Sequence, residues 1–300
     1  MGNAQQVQLL NQKGGTLEFG MNFADLKRQF IVHLPPAYQS QPNQSFPVVF
    51  MLHGGGGSGR KYYNISGWKE LGDQEGIITV FPTGYKSCVM KGDEAETKTF
   101  WLTVRKSENL CPGQKDRSDA DFIRAIVGFL KKNYRTDVRR YYCTGFSNGM
   151  GFTLSRTIPE LSDIFAAVGG SGSMLAEPMS APASHPLPCF MMIGERDSRL
   201  IRNNSNQPFP LDEQGIANSN FLQEQFKILA HLLSLETDYT IRERRKHTTL
   251  QFQKTTNGGQ QMLQFSLLKG LGHVYPRGIP SHNDIEGARI FWDFFKQYQK

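Results

Sequence analysis

Short apolar runs closed by turn residues alternate with stretches of helical periodicity along most of this chain. Gln29 to Leu34 reads as a strand stopped by Pro35-Pro36, and Val48 to Leu52 as a buried strand running into His53 and four glycines. Ile77 to Phe81, Arg140 to Thr144, Cys189 to Ile193 and Met262 to Leu268 read as further strands, as does Phe165 to Val168, closed by Gly169-Gly170. Ser118 can cap a helix in which Phe122, Ile123, Ile126, Val127 and Leu130 share one face. Met150 to Ile158, Phe221 to Leu233 and Ile285 to Tyr298 also carry helical spacing. Alternation of this kind builds an α/β fold, with a mostly parallel sheet and helices on both faces. Such a sheet carries its site beyond the carboxyl ends of its strands.

Composition changes this picture little. The chain has 300 residues, of which 38% are hydrophobic and 20% charged, as in ordinary globular proteins. One domain spanning 1–300 accommodates that length, with 1–14 a candidate disordered tail. The net charge of +7 fits a basic surface or attraction to an acidic polymer or membrane, and the one dense cluster is Arg242-Glu243-Arg244-Arg245-Lys246-His247. No run approaches the roughly 20 apolar residues of a membrane span. The polar opening Met1 to Gln6 shows no signal peptide, as a mature secreted chain would also read. No Cys-X-X-Cys pair exists. Cys143 and Cys189 lie in apolar runs and read as inert buried thiols, whereas Cys88 and Cys111 flank a polar stretch and could form a disulfide in an oxidising compartment.

The chemistry concentrates at Gly145-Phe146-Ser147-Asn148-Gly149, between a predicted strand and a predicted helix. A sharp strand-to-helix turn lifts a serine hydroxyl clear of the sheet, and crowding at the turn favours glycine two positions either side. A serine nucleophile needs a base, and the base an orienting acid. Of the seven histidines, His33, His185, His231 and His247 have ordinary structural readings, and His53 shapes the glycine loop. His273, in Gly270-Leu271-Gly272-His273 after a predicted strand, is the candidate base, with His282 its rival. Asp197, after the strand Cys189 to Ile193, is the candidate acid, and Glu195 the runner-up. The run His53 to Gly59 lacks the Gly-Lys-Ser/Thr ending of a phosphate loop. Its glycines suit an oxyanion hole built from the N–H of Gly55, or of Gly56, together with that of Asn148.

His53-Gly-Gly-Gly-Gly-Ser58, Phe81-Pro82-Thr83-Gly84, Asp119 to Leu130, the Ser147 motif, Asp197 and Gly272-His273-Val-Tyr-Pro276 occur in a familiar order. From Gly15 to Tyr298 the chain resembles the secreted polyhydroxybutyrate depolymerases and feruloyl esterases, which are carbohydrate esterase family one-like α/β-hydrolases. The resemblance implies a single α/β-hydrolase domain, a secreted or periplasmic location and a Ser147–Asp197–His273 triad. It departs at Tyr275, where the family usually has Trp, and at Ile193, where it often has His.

The expected activity is serine carboxylic ester hydrolysis through an acyl-enzyme, with no metal or cofactor. Feruloyl esterase-like action on aromatic or plant cell-wall esters is the leading expectation. The alternatives are a polyester depolymerase, an acetyl xylan esterase, a peptidase using the same triad, and a catalytically silent polysaccharide-binding protein. The partner is the ester substrate, polymeric esters included, and no nucleic-acid partner is expected. Tyr275, two residues past His273, is expected at the cleft mouth. Trp101 is expected either to line the cleft beside it or to anchor its loop on the body. Two such rings would favour flat aromatic acyl groups.

Overall fold

Buried apolar runs become the strands of one large sheet, and the periodic stretches become the helices that cover it. The computed structural model describes residues 6–103, 110–114, 117–175, 182–255, 262–279 and 284–300. The order is β1 (Val7–Lys13), β2 (Thr16–Phe23), β3 (Leu26–His33), α1 (Ala37–Ser40), β4 (Phe46–Leu52), α2 (Gly59–Ile65), α3 (Trp68–Glu75) and β5 (Ile78–Thr83). The hairpin β6 (Tyr85–Lys91) and β7 (Glu94–Phe100) follows, then α4 (Asp119–Asn133), β8 (Thr136–Phe146), α5 (Asn148–Phe152) and α6 (Ile158–Leu161). The chain continues through β9 (Ala167–Ser171), β10 (Cys189–Gly194), α7 (Glu213–Asn218), α8 (Asn220–Leu233), β11 (Thr240–Glu243), β12 (His247–Phe252), β13 (Leu263–Leu268) and α9 (Gly287–Phe295).

Among the described residues the sheet runs β1-β2-β3-β5-β4-β8-β9-β10-β13-β12-β11. Its centre, from β5 to β13, is parallel. Both flanks are antiparallel and were not foreseen. Residues 7–13 are not a tail. They form the edge strand β1, whose mostly exposed side chains hide it from a hydrophobicity pattern while its backbone pairs with β2.

Every residue of β4 is buried, and its two faces feed different cores. Val48, Phe50 and Leu52 join the residues of α4 and α8, whereas Val49 and Met51 join Trp68, Phe291 and Phe295 from α3 and α9. The two-residue period of a strand thus packs helices onto both faces. Burial of each large apolar side chain contributes about 1.5–3 kcal/mol. Helix α4 starts as its sequence predicts: the Ser118 hydroxyl accepts the Asp121 N–H at 3.1 Å. Asp119 and Asp121 at the start and Lys131 and Lys132 at the end complement the helix dipole.

Two elements differ from expectation. Strand β9 runs through Gly169-Gly170 instead of stopping there, because both residues pair with β8 and β10; the pairing leaves room only for glycine at 170, where a Cβ would lie 2.3 Å from the Gly145 carbonyl oxygen. The helix expected over 150–158 is α5, a π turn over Thr153–Thr157 and α6. Thr153 and Ser155 hydroxyls donate to the Gly149 and Gly151 carbonyls within it, a back-bonding that competes with regular helical geometry.

Candidate active site

Strand β8 ends at Phe146, and Ser147 takes φ 52° and ψ −119° before α5 begins. A non-glycine residue there costs about 1–3 kcal/mol, which the surroundings must offset. The neighbours explain the flanking glycines. A Cβ on Gly145 would lie 2.4 Å from the Gly149 carbonyl carbon, and one on Gly149 would lie 2.4 Å from the Leu52 oxygen. The Ser147 N–H donates to the Ser171 carbonyl at 2.8 Å, tying the turn to the end of β9.

The ends of β8, β10 and β13 bring three side chains together. Nε2 of His273 lies 2.9 Å from Ser147 Oγ, and Nδ1 lies 2.9 and 2.8 Å from the two Asp197 oxygens. Asp197 is fully buried and also accepts the Arg199 and Leu200 N–H groups at 3.0 and 3.3 Å. An ionised carboxylate can only accept, so Nδ1 carries the proton and Nε2 is free to take one from the serine hydroxyl. Glu195 takes no part in the Ser147–His273–Asp197 hydrogen bonds. It accepts the Gly270 N–H at 2.6 Å and so pins the turn that leads to His273. His282 lies outside the described residues.

On the other side of the turn the glycine loop abuts the elbow. A Cβ on Gly54 would touch that of Ser147 at 3.4 Å, and one on Gly55 that of Asn148 at 3.7 Å. Neither the Gly55 nor the Asn148 N–H is bonded to another described residue. Gly56 is a correction to the expected hole, because its N–H already donates to the Thr99 carbonyl at 2.7 Å. His53 is fully buried, with Nδ1 donating to the Gly54 oxygen at 2.7 Å and Nε2 accepting the Gly84 N–H at 2.8 Å. Burial lowers its pKa to about 4, so the ring is neutral and shapes the loop as expected.

Trp101 and Tyr275 do not form the expected aromatic cleft. Trp101 is fully buried as an anchor: its indole N–H donates to the His53 carbonyl at 3.0 Å, and its ring packs on His53 and Phe152. Tyr275 is buried against Tyr62 and Phe146, and that burial raises its phenol pKa. Both rings turn inward because apolar partners lie beneath them, and loop position in the sequence does not reveal this.

Sequence reasoning missed the role of the Asn148 side chain. Its oxygen accepts the Trp101 N–H at 2.8 Å and its nitrogen donates to the Trp101 carbonyl at 3.0 Å. This two-point clamp joins the elbow to the segment that holds His53. Behind it, the fully buried Asp119 accepts the Leu102 N–H at 2.8 Å. Asp119 also meets the buried Arg28 and Arg117 at 2.8 and 3.4 Å. The placement of Asn148 beside Ser147 was a signal; nothing local marked its partner 47 residues away. Cys88 and Cys111 are bonded, with Cα atoms 5.4 Å apart, and close the β6–β7 region outside the triad.

The fold is that of the α/β-hydrolases, with the serine, acid and histidine in the chain order of that class. No family model matches the chain. It is 28% identical over 171 residues to NocK of Nocardia uniformis subsp. tsuyamanensis, named as an esterase, covering 57% of this chain and 45% of that protein. It is 25% identical over 267 residues to the bifunctional acetylxylan esterase/xylanase XynS20E of Neocallimastix patriciarum, covering 89% and 33%. Feruloyl esterase B of Thermothelomyces thermophilus is 25% identical over 150 residues, covering 50% and 45%. The chain thus spans less than half the length of these relatives. Among solved structures, an S-formylglutathione hydrolase from Agrobacterium tumefaciens superposes with a TM-score of 0.59 at 12% identity, covering 99% of both chains. The acetyl xylan esterase from Aspergillus awamori gives 0.55 at 14%, covering 97% of this chain and 99% of its own. No helix among the described residues is long and apolar enough to cross a membrane.

Proposed function

We propose that the protein is a serine carboxylic ester hydrolase with Ser147, His273 and Asp197 as its triad. The observation that carries this reading is the unbroken hydrogen-bond chain from Ser147 Oγ through His273 to a buried carboxylate, set at a strained turn beside two unengaged N–H groups. The esterase names of its relatives support the ester class.

In the proposed reaction His273 Nε2 takes the Ser147 proton as Oγ attacks the ester carbonyl carbon. The carbonyl oxygen becomes an oxyanion between the Gly55 and Asn148 N–H groups, where the first turn of α5 also favours negative charge. The tetrahedral centre collapses, and the alcohol leaves with the proton held by His273. Water, deprotonated by the same ring, then attacks the acyl-serine and releases the acid. Asp197 orients the ring and stabilises its charged form throughout.

The polymeric ester proposed as substrate rests on the acetylxylan esterase/xylanase name of one relative, and the proposed location outside the cytosol rests on the Cys88–Cys111 bond. The aromatic acyl preference loses its physical basis once both rings are buried. Ser147→Ala tests the activity. Hydrolysis of p-nitrophenyl acetate should fall by several orders of magnitude with the fold intact, and a loss below about tenfold would reject Ser147 as the nucleophile.

A further inference from the structure

We propose that Tyr62 is a further catalytic residue, its hydroxyl donating a third hydrogen bond to the ester carbonyl oxygen as that oxygen becomes negative. The proposal rests on the esterase reading above and adds a side-chain donor to the two backbone ones.

The chain places Tyr62 one turn into α2, directly after the glycine loop. Ser58 caps this helix: its hydroxyl accepts the Lys61 N–H and its carbonyl the Tyr62 N–H, each at 3.2 Å. The helix is tied to β5, because the Gly59 N–H donates to Thr83 Oγ1 at 3.0 Å. The two backbones approach so closely there that a Cβ on Gly59 would lie 2.2 Å from the Phe81 oxygen. The Tyr62 ring then packs among three others, with centroids 6.4 Å from His53, 6.3 Å from Phe146 and 6.0 Å from Tyr275. A donor held in this way needs no reorganisation when charge develops in the transition state.

The hydroxyl lies beside the nucleophile. A Cβ on Gly54 would be 3.3 Å from Tyr62 Oη and 3.4 Å from Ser147 Cβ, so the two residues border the same small space. Tyr62 and Tyr275 are both buried, at 5% and 4% exposure, yet their hydroxyls differ. That of Tyr275 is sealed in the interior, whereas that of Tyr62 is not sealed and has no acceptor among the described residues. Burial raises the Tyr62 phenol to about 12, with the Gly54 N–H drawing it partly back, so the group keeps its proton well beyond neutral pH. When an ester fills the cleft and displaces water, a hydroxyl left without an acceptor would cost about 1–3 kcal/mol. The carbonyl oxygen at Ser147 supplies the acceptor. Hydrogen bonds to an ionised acceptor are roughly twice as strong as neutral ones. The contact therefore tightens as the oxyanion forms, which is what lowers a barrier.

The test compares the wild type with Tyr62→Phe, which keeps the ring and removes one oxygen, on p-nitrophenyl acetate and on ethyl acetate. Competent chains are counted by fluorophosphonate titration run to completion, so each rate is per active site whatever the yield of folded protein. On both esters kcat should fall about 100-fold, with KM and the thermal midpoint close to those of the wild type. A boronic acid forms a tetrahedral anion on a serine oxygen, and its affinity should fall by the same factor. A kcat within threefold of the wild type, or an unaltered boronate affinity, would overturn the proposal. So would a loss confined to ethyl acetate: p-nitrophenolate leaves without a proton, and that result would make the phenol a proton donor to the leaving alcohol. A wild type inactive on both esters would count against the esterase reading instead.

Discussion

His53, after β4, and His273, after β13, approach the Ser147 turn from opposite sides of β8, and the two flanks differ in construction. The β4 flank is sealed. His53, Trp101 and Asp119 are fully buried, and each is hydrogen-bonded to the backbone of a distant segment. The β13 flank is built from two short loops, with the edge of the His273 ring reaching solvent and charged residues around it. The contrast matches two chemical demands. Oxyanion donors act best when held rigid in a dry setting. A base that exchanges protons with a leaving alcohol and an incoming water needs access. Damage to the open flank should therefore remove activity without unfolding, whereas damage to the sealed flank should reach stability.

The largest effect belongs to the open flank. Asp197→Asn should lower kcat about 10⁴-fold, because the amide no longer holds His273 in the reactive tautomer. Its thermal midpoint should stay near that of the parent, and a fall in stability matching the activity loss would erase the contrast. On the sealed flank, Asp119→Ala strands two buried guanidinium groups, one of them already below its ordinary pKa through desolvation. Breaking such a pair costs about 3–5 kcal/mol. Urea unfolding should register that loss, and a change under about 1 kcal/mol would show that water already screens the network.

These assignments were unequally legible in the sequence. Val48 to Leu52 and Cys189 to Ile193 are continuous apolar runs, and the sheet buries both faces of each strand. Ser147, Asp197 and His273 could be proposed because each lies in the turn or loop after a strand read from the sequence. Strand β1 could not, since an edge strand draws on backbone pairing more than on apolar side chains. The inward turn of Trp101 and the occupation of the Gly56 N–H depend on contacts across more than 40 residues, for which no local pattern exists.

Acid should expose the sealed flank directly. His53 titrates near 4 when folded, against about 6.5 when unfolded, so the unfolded chain binds the extra proton between these values. The stabilising effect of its neutral burial is complete above about pH 6.5 and declines as pH falls toward 4, by up to about 3 kcal/mol. His53→Gln should flatten the stability slope across that window; an unaltered slope would show that His53 is not its source.

A smaller effect links the two flanks. Asn148→Ala keeps the N–H that the oxyanion would use but frees the Trp101 clamp. Loosened positioning of this kind should lower kcat about 10- to 100-fold with little change in KM. Partial rescue by Asn148→Asp would be absent if the clamp needs both a donor and an acceptor, while activity within twofold of the parent would remove Asn148 from the positioning machinery.

The central claim is that the strained turn at Ser147 carries the reactive hydroxyl. The most direct measurement is reaction with a fluorophosphonate, followed by peptide mapping of the adduct. The account predicts one phosphonate per chain, on the peptide containing Ser147, with ester hydrolysis lost in proportion to labelling. A protein that hydrolyses esters but carries its label on another residue, or remains unlabelled, would contradict it.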